Sequence, residues 1–264
     1  MHLVKALNKK WIVGGILPVG LGLVLAMAAK FPSTREWLKA VGPLSAALVA
    51  LIIAIWGDSL RHHFWHPSIE FDFDPAQDIT KTVQWVKLYE SRAIQSECFY
   101  IHLRIRNSGN EVATQVEVFI EELAQQQSDG TFHKVSDLYL PLNLRWAYIH
   151  EVEGLGPGMY YPQITPKAEK AVDLGHIIAP GNRPWYRGES PDGSDPSKTV
   201  LSLDLIWRSS RMDYLRLPGT YRCTVVAAAA NAQPVRRELE VNLSGNWFSN
   251  DEEMRQKGIA VEFI

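Results

Sequence analysis

The sequence predicts an N-terminal transmembrane hairpin of two helices followed by an all-β sandwich. Two observations carry this prediction. The runs Trp11–Ala29 and Val41–Trp56 contain no charged residue, and after Ser68 the apolar residues recur at every second position instead of every third or fourth. We therefore divide the chain into a helical hairpin over residues 1–60, a juxtamembrane linker over 61–67 and a β-sandwich over 68–264.

Each apolar run belongs to a predicted helix that is long enough to cross a membrane. A helix rises by about 1.5 Å per residue, so Trp11–Ala29 spans a bilayer core of roughly 30 Å. In the second span Ser33 and Glu36 have the spacing of a capping box, which predicts a helix from Thr34 to about Leu60. An alternative interpretation of the first run is a signal peptide, because Ala26-Met27-Ala28 resembles a cleavage site.

Small residues form rows along both predicted spans. They are Gly15, Gly22, Ala26 and Ala29 in the first span, and Gly42, Ala46, Ala50 and Ala54 in the second. Helices in lipid associate mainly through close packing at such residues. One row is enough to close the hairpin, so a second row predicts contacts between subunits of a homo-oligomer. Neither span carries an ionisable residue, which argues against a proton relay; a pore would be lined by small and apolar groups with Ser45.

Basic residues at the helix ends predict the orientation of the hairpin. The side of the termini carries Lys5, Lys9, Lys10 and Arg61, against Lys30, Arg35 and Lys39 in the turn between the spans. Positive charge is enriched on the cytoplasmic side. The small excess at the termini therefore predicts that the sandwich faces the cytoplasm.

Composition limits the possible functions of the remaining chain. The 264 residues have a formal net charge of −2, which gives no general argument for nucleic-acid binding. The chain has two cysteines, too few for a disulfide scaffold. About 200 residues follow the hairpin, enough for a domain with a full hydrophobic core.

Alternating apolar residues predict the strands of the sandwich. Ile69–Phe73, Phe99–Arg106, Val116–Ile120, Leu201–Trp207 and Leu239–Leu243 alternate clearly, and Thr82–Leu88 and Thr220–Ala230 do so less regularly. Turn-forming residues separate them, as at Asn107–Asn110 and Ser128–Gly130. Half-buried strands of this kind are typical of an antiparallel sandwich.

We considered a hydrolase and a metal site and expect neither. Gly57-Asp-Ser59-Leu matches the tetrapeptide that carries the nucleophile of the GDSL hydrolases, and Asp173 and His176 offer an Asp-x-x-His. That family places its serine after a buried strand, whereas Ser59 follows a predicted membrane helix. Zinc at His62 and His66 lacks further ligands nearby in sequence. We therefore expect no enzyme, no cofactor and no metal.

Gly219-Thr-Tyr221-Arg-Cys223 resembles the F strand of an immunoglobulin-like domain, in which the tyrosine makes a corner hydrogen bond. A Cys98–Cys223 bridge between the sheets would extend the likeness. Cys98, however, lies on the opposite side of its strand from Phe99, because side chains alternate. The alternation therefore argues against a disulfide and favours a reducing compartment.

Phe99–Asn107, the turn that follows it, Leu142–Trp146 and Gly219–Trp247 together resemble bacterial two-helix membrane-anchored proteins with an immunoglobulin-like soluble domain. The plan of a short hairpin and a β-domain is also similar to membrane effectors of anti-phage defence, such as the channel subunit of the Hailong system. These resemblances imply an inner-membrane location. They also imply an oligomeric channel controlled by a ligand that a partner nucleotidyltransferase makes.

Two long segments offer a candidate ligand site. Residues 151–166 and 179–198 are longer than hairpin turns require, and long loops on a rigid scaffold often bind ligands. Cations and aromatic rings alternate there at Arg183, Trp185, Tyr186 and Arg187, with Arg208 and Arg211 after the next strand. Such groups stack bases and bind phosphates. An alternative is a loop folded over its own tryptophan with solvated arginines.

From these features we expect an oligomeric membrane channel, pore or membrane-perturbing effector, gated by the sandwich through a ligand or partner. The candidates are a nucleotide, an oligonucleotide or a nucleotidyltransferase. The alternative is a membrane-anchored binding or scaffold module with no pore activity.

Overall fold

A computed structural model describes residues 46, 50, 65–87, 93–135, 139–147, 160–180, 195, 197–207 and 214–264. The chain divides into two compact units, residues 1–63 and 64–264. Ala46 and Ala50 are both helical and exposed; the rest of the predicted hairpin lies outside the described residues. Within the described part of the chain, no helix has the length and apolar character needed to cross a bilayer.

The larger unit contains two antiparallel sheets, so the predicted β-sandwich is confirmed. The strands of the first sheet are β1 (Ile69–Asp72), β2 (Ile79–Lys87), β3 (Ala93–Asn107), β7 (Arg145–Trp146), β9 (Glu169–Ile178), β10 (Leu201–Leu203) and β11 (Leu215–Arg216). Those of the second are β4 (Ala113–Gln126), β5 (Phe132–Lys134), β6 (Leu142–Asn143), β8 (Tyr161–Ile164), β12 (Gly219–Ala229), β13 (Ala232–Leu243) and β14 (Ile259–Phe263).

Neighbouring strands follow the order β1-β3-β9-β10-β11 in the first sheet and β14-β13-β12-β4-β5 in the second. In the first sheet β2 also pairs with β3, and β7 with β9; in the second, β6 and β8 pair with β4. The strand β3 is therefore an interior strand of the first sheet and pairs with β1, β2 and β9.

The core forms where the alternating apolar positions of the two sheets meet. Its buried members include Phe99, Ile101, Leu103 and Ile105 from β3, Val116, Val118 and Ile120 from β4, Tyr221, Cys223 and Val225 from β12, and Leu239, Val241 and Leu243 from β13. Trp146 is also in the core and meets the ring of Tyr161 edge to face, with centroids 5.2 Å apart. The strands recognised by their alternation thus supply the core.

The strand β9 is one that alternation did not predict. Val172, Leu174 and Ile177 all belong to the core, so the spacing between inward side chains changes from two residues to three. The pairing of β3 with β9 shifts register between Ile101 and His102, and Gly175 lies beside that shift. A bulge of this kind breaks the period of two, which hides the strand in the sequence.

The tyrosine corner and the two free thiols agree with the sequence. The Tyr221 hydroxyl donates to the carbonyl oxygen of Leu217 at 2.9 Å. Cys98 and Cys223 are not bonded to each other. Cys98 lies outside the main core, as its alternation predicted, but it is fully buried in a second small cluster with Ile178.

The chain joins the sandwich through residues 65–68, which we call the connector. The backbone N–H of Asn110 donates to the carbonyl oxygen of His66 at 3.2 Å, and that of Ser108 donates to Ser68 at 2.8 Å. These bonds tie the connector to the turn that follows β3. The connector is thus part of the folded unit.

Asn107 strengthens this junction from inside. Its fully buried amide accepts from the backbone N–H of Ser68 at 3.1 Å and donates to the carbonyls of Glu111 and Ile164 at 2.7 and 2.9 Å. Gly109 lies against the connector so closely that a Cβ there would come within 2.3 Å of the His66 carbonyl oxygen. Only glycine fits at that position.

Short helical turns complete the sandwich at two points. The helix α1 (Pro75–Asp78) begins after Asp74, whose side chain accepts from the Ala76 N–H. Near the C-terminus α2 (Asp251–Glu253) is capped by Asn250. A π-helical turn, Met254–Gly258, then leads into the edge strand β14.

Candidate functional site

The outward faces of the two sheets differ. On the second sheet the charged pairs Arg222–Glu240 and Arg236–Glu121 lie at the surface, as is usual for a solvated sheet. The outward face of the first sheet is also polar, but part of it is buried. Seven residues there are no more than 8% exposed: Ser96, Cys98, His102, Asp173, His176, Ser202 and Asp204. Buried polar groups need partners, and these partners define the candidate site.

Two histidine–aspartate pairs form the centre of this face. We call Thr80, Tyr100, His102, Asp173, His176 and Asp204 the His–Asp cluster. The first pair joins His102 Nδ1 to Asp173 Oδ1 at 2.7 Å. The other nitrogen of this ring, Nε2, lies 3.1 Å from the Thr80 hydroxyl. Both nitrogens of His102 are therefore occupied.

The second pair joins His176 Nδ1 to Asp204 Oδ2 at 2.6 Å. The ring of Tyr100 lies between the two histidines. Its centroid is 5.8 Å from that of His102, with parallel planes, and 5.0 Å from that of His176, with a tilt of 32°. The two pairs thus form one contiguous cluster around an aromatic ring.

Strand pairing explains why these residues meet. Tyr100 on β3 is paired with His176 on β9, and after the register shift His102 is paired with Asp173. Ser202 on β10 is paired with His176. Paired residues project from the same face of a sheet. The bulge beside Gly175 is required, because without it Asp173 and His176 could not both face outward.

Burial changes the ionisation of two groups in this region. It raises the pKa of Asp173 above its ordinary value of 3.8; the hydrogen bond and charge of His102 oppose this, and the charge of Asp204 adds to it. Burial also raises the pKa of Cys98 to about 12, with a contribution from Asp204. Cys98 is therefore a neutral thiol at physiological pH and not a nucleophile.

The chemistry open to the cluster follows from these contacts. Thr80, His102 and Asp173 repeat the hydroxyl–imidazole–carboxylate order of catalytic triads. The same order also gives each nitrogen of the buried His102 ring a hydrogen-bond partner. Among the described residues, no group of three or more His, Cys, Asp or Glu side chains is placed to hold a metal ion. The contacts of the two histidines suit the cluster for hydrogen bonding and proton binding.

The residues predicted from the sequence do not coincide with this cluster. Arg183, Trp185, Tyr186, Arg187, Arg208 and Arg211 lie outside the described residues, as do Gly15, Gly22, Ala26, Gly42, Ser45 and Ala54. The segment with Arg183 joins β9 to β10, and the one with Arg208 joins β10 to β11, so they leave β10 at opposite ends. Both nevertheless connect strands that carry or adjoin the cluster.

Sequence reasoning missed most of the cluster. Asp173 and His176 stood out as an Asp-x-x-His, but the two do not pair with each other; their partners, His102 and Asp204, come from neighbouring strands. Compared with models of known protein families the chain matches none, and no curated protein is significantly similar to it.

Proposed function

We propose that this chain is a membrane-anchored effector whose β-sandwich controls an N-terminal hairpin that oligomerises into a pore or perturbs the bilayer. The observation that carries the proposal is the fixed connector. A membrane tether needs only a flexible linker, whereas a regulator must pass a structural change to the hairpin. The hydrogen bonds of His66 and Ser68 to the turn after β3 remove that flexibility from residues 66–68.

One strand links the His–Asp cluster to the connector. Tyr100, His102, Arg104 and Asn107 all belong to β3. Arg104 pairs with Asp78 at 3.0 Å and with Asp72 at 3.1 Å, and Asn107 binds the connector directly. His102 and Asn107 are five residues apart, about 17 Å along a strand. Coupling between sites travels through such packed, hydrogen-bonded elements, so a change at His102 can reach the connector.

Two exposed alanines support the oligomeric part of the proposal. Ala46 and Ala50 are helical and exposed, so this part of the small-residue row is open to another helix or to lipid.

The proposal includes a bacterial inner-membrane location with a cytoplasmic sandwich and a role in anti-phage defence. It also includes control by a nucleotide, an oligonucleotide or a nucleotidyltransferase partner.

An immunoglobulin-like classification of the sandwich is also part of the proposal. In an immunoglobulin domain one sheet contains strands G, F and C and the other contains strands A, B, E and D. Here β13-β12-β4 follow the order G-F-C, and β1-β3-β9-β7 follow the order A-B-E-D. The tyrosine corner at Tyr221 lies at the start of the strand in the F position. These features favour the immunoglobulin-like class over other sandwiches.

A flexible insertion distinguishes the effector from a tethered binding or scaffold module. We expect a Gly-Gly-Ser-Gly-Gly segment between Trp65 and His66 to uncouple the two units. Membrane potential, measured by dye in cells with matched expression, should then move away from the wild-type value, because a flexible Gly/Ser linker behaves as a random coil and does not transmit a structural change.

The matched control is the same segment inserted between Asp129 and Gly130, in an exposed hairpin turn. This variant should behave like the wild type. If the insertion in the connector also leaves the membrane potential at the wild-type value, coupling through the connector is wrong. The tethered module then becomes the better interpretation.

A further inference from the structure

The strand β2 forms an open edge of the first sheet. It pairs with β3 along its nine residues, Ile79–Lys87, and no other strand in the described part of the chain pairs with it. Thr82 is exposed, and Val83 is 60% exposed. An edge strand carries backbone donors and acceptors that a further strand can bind. The strand β2 is therefore a candidate surface for strand pairing.

The other neighbour of β3 shows which backbone groups of β2 point to the open side. The Ala179 N–H donates to the carbonyl oxygen of Glu97 at 3.4 Å, so the backbone groups of Glu97 point towards β9. Val83 lies opposite Glu97, and hydrogen-bonded pairs alternate with non-hydrogen-bonded pairs along an antiparallel ladder. The N–H and C=O of Val83 therefore point to the open side, as do those of every second residue in β2.

One end of this open side is already closed. Arg255 donates to the carbonyl oxygen of Ile79 at 3.2 Å. This bond agrees with the alternation, because Ile79 lies four residues before Val83 and its carbonyl points the same way. The part of the edge that is left for another strand therefore begins at Lys81.

The strand β2 lacks features by which edge strands usually avoid pairing. It contains no proline, and its register with β3 runs without a shift, so no bulge bends it away. A lysine on the edge is another such feature. The Lys81 ammonium, however, is held by the Glu97 carboxylate at 2.8 Å and by the Ser249 carbonyl at 2.9 Å. The edge is thus free to accept a strand.

A second copy of the chain fits this edge by symmetry. Two β2 strands can pair antiparallel about a two-fold axis centred on Val83, Gln84 or Trp85. Centring on Gln84 places Lys81 opposite Lys87, and like charges directly opposite destabilise a sheet. Centring on Trp85 places the exposed Val83 opposite Lys87. Only centring on Val83 sets the two exposed valines against each other and opposes no like charges.

We propose that β2 is an interface between two copies of this chain, in which the β2 strands pair antiparallel about Val83 and join the two first sheets. Interfaces that are stable by themselves bury about 1,200–2,000 Å². The segment from Lys81 to Trp85 in each copy is too short for that, so the strands pair where another contact already holds the copies close together. The interface therefore rests on the part of the proposed function in which the hairpins oligomerise.

Disulfide cross-linking of Val83→Cys in the full chain, in neutral detergent with a mild oxidant, tests the interface. The two central residues of the pairing have Cα atoms about 5.5 Å apart, which a disulfide spans. We expect a dimer on a non-reducing gel, with the two new thiols joined to each other in the peptides found by mass spectrometry. The wild type, whose Cys98 and Cys223 are buried, should form no such dimer.

Thr82→Cys is the matched control, because Thr82 is exposed on the same strand. In the proposed pairing the two Thr82 Cα atoms lie about 8 Å apart, which is beyond the span of a disulfide. The linked fraction should therefore be lower than that of Val83→Cys by about fivefold or more. Ala260→Cys, on the edge strand of the other sheet, controls for random collisions. Equal linkage of Thr82→Cys and Val83→Cys overturns the proposal, as does a Val83→Cys product that contains another protein in place of the second copy.

Sedimentation of the wild type in the same detergent separates this interface from the proposed function. An oligomer in which Val83→Cys forms no disulfide contradicts the strand pairing alone. A monomer that forms no disulfide contradicts both the pairing and the oligomeric hairpin. Linked Val83→Cys in a chain that leaves the membrane potential unchanged contradicts the effector and supports the interface.

Discussion

Replacing Asn107 by alanine is expected to destabilise the sandwich by about 3–5 kcal/mol. The fully buried amide makes hydrogen bonds with Ser68, Gly109, Glu111 and Ile164. Alanine removes all of them, and the buried Ile164 carbonyl loses its bond to this amide. A buried polar group that loses its partner costs about 1–3 kcal/mol. Chemical denaturation of the full chain in detergent, followed by tryptophan fluorescence, measures the change.

Asn242→Ala is the matched control. Asn242 is exposed on β13 and makes one long hydrogen bond of 3.3 Å to Thr220. Its loss should change the free energy of unfolding by less than about 0.5 kcal/mol, as is usual for surface positions. Similar effects of the two substitutions would contradict the central position that we assign to Asn107 between β3 and the connector.

Removing the Asp173 carboxylate gives the second large effect. Asp173→Ala removes the carboxylate that is hydrogen-bonded to the buried Nδ1 of His102 and opens a small cavity. Removing one partner of a buried pair is strongly destabilising. The substitution also removes a carboxylate that is desolvated in the folded state, and this offsets part of the loss. Weighing the two, we expect a loss of about 2–4 kcal/mol in the free energy of unfolding.

Asp173→Asn and Glu121→Ala separate the possible causes of that loss. Asparagine keeps an acceptor for His102 and should recover part of the stability. Glu121 makes two short bonds to Arg236, 2.8 and 2.9 Å, but both groups lie at the surface, where ion pairs contribute little. Glu121→Ala should therefore unfold at nearly the wild-type denaturant concentration. If Asp173→Ala does the same, the buried pair is not a structural element of the fold.

The sandwich itself was largely predictable because most of its strands are half-buried and alternate. Phe99–Arg106 and Leu239–Leu243 show this directly, since their inward positions are the core positions of the structure. β9 was not predictable in this way. The bulge beside Gly175 shifts the inward side chains by one position, and a pattern search with a period of two does not follow such a shift.

The candidate site was less accessible to sequence reasoning than the fold. Cys98, Tyr100 and His102 were recognisable as outward residues, but the alternation does not tell whether an outward face is solvated. Their burial depends on packing between segments distant in the sequence. The partners of the two histidines come from β9 and the residue after β10, and a single sequence contains no record of which strands are neighbours.

The central claim, that the N-terminal hairpin acts on the membrane, is tested most directly by membrane potential in cells that express the wild type or Ala50→Leu at matched levels. Leucine at this exposed helical position should prevent close helix packing by steric excess. We expect the wild type to depolarise the cells, Ala50→Leu not to, and the control Ala260→Leu, at an exposed alanine of β14, to match the wild type. A wild type that leaves the potential at the value of cells without the protein would contradict the account.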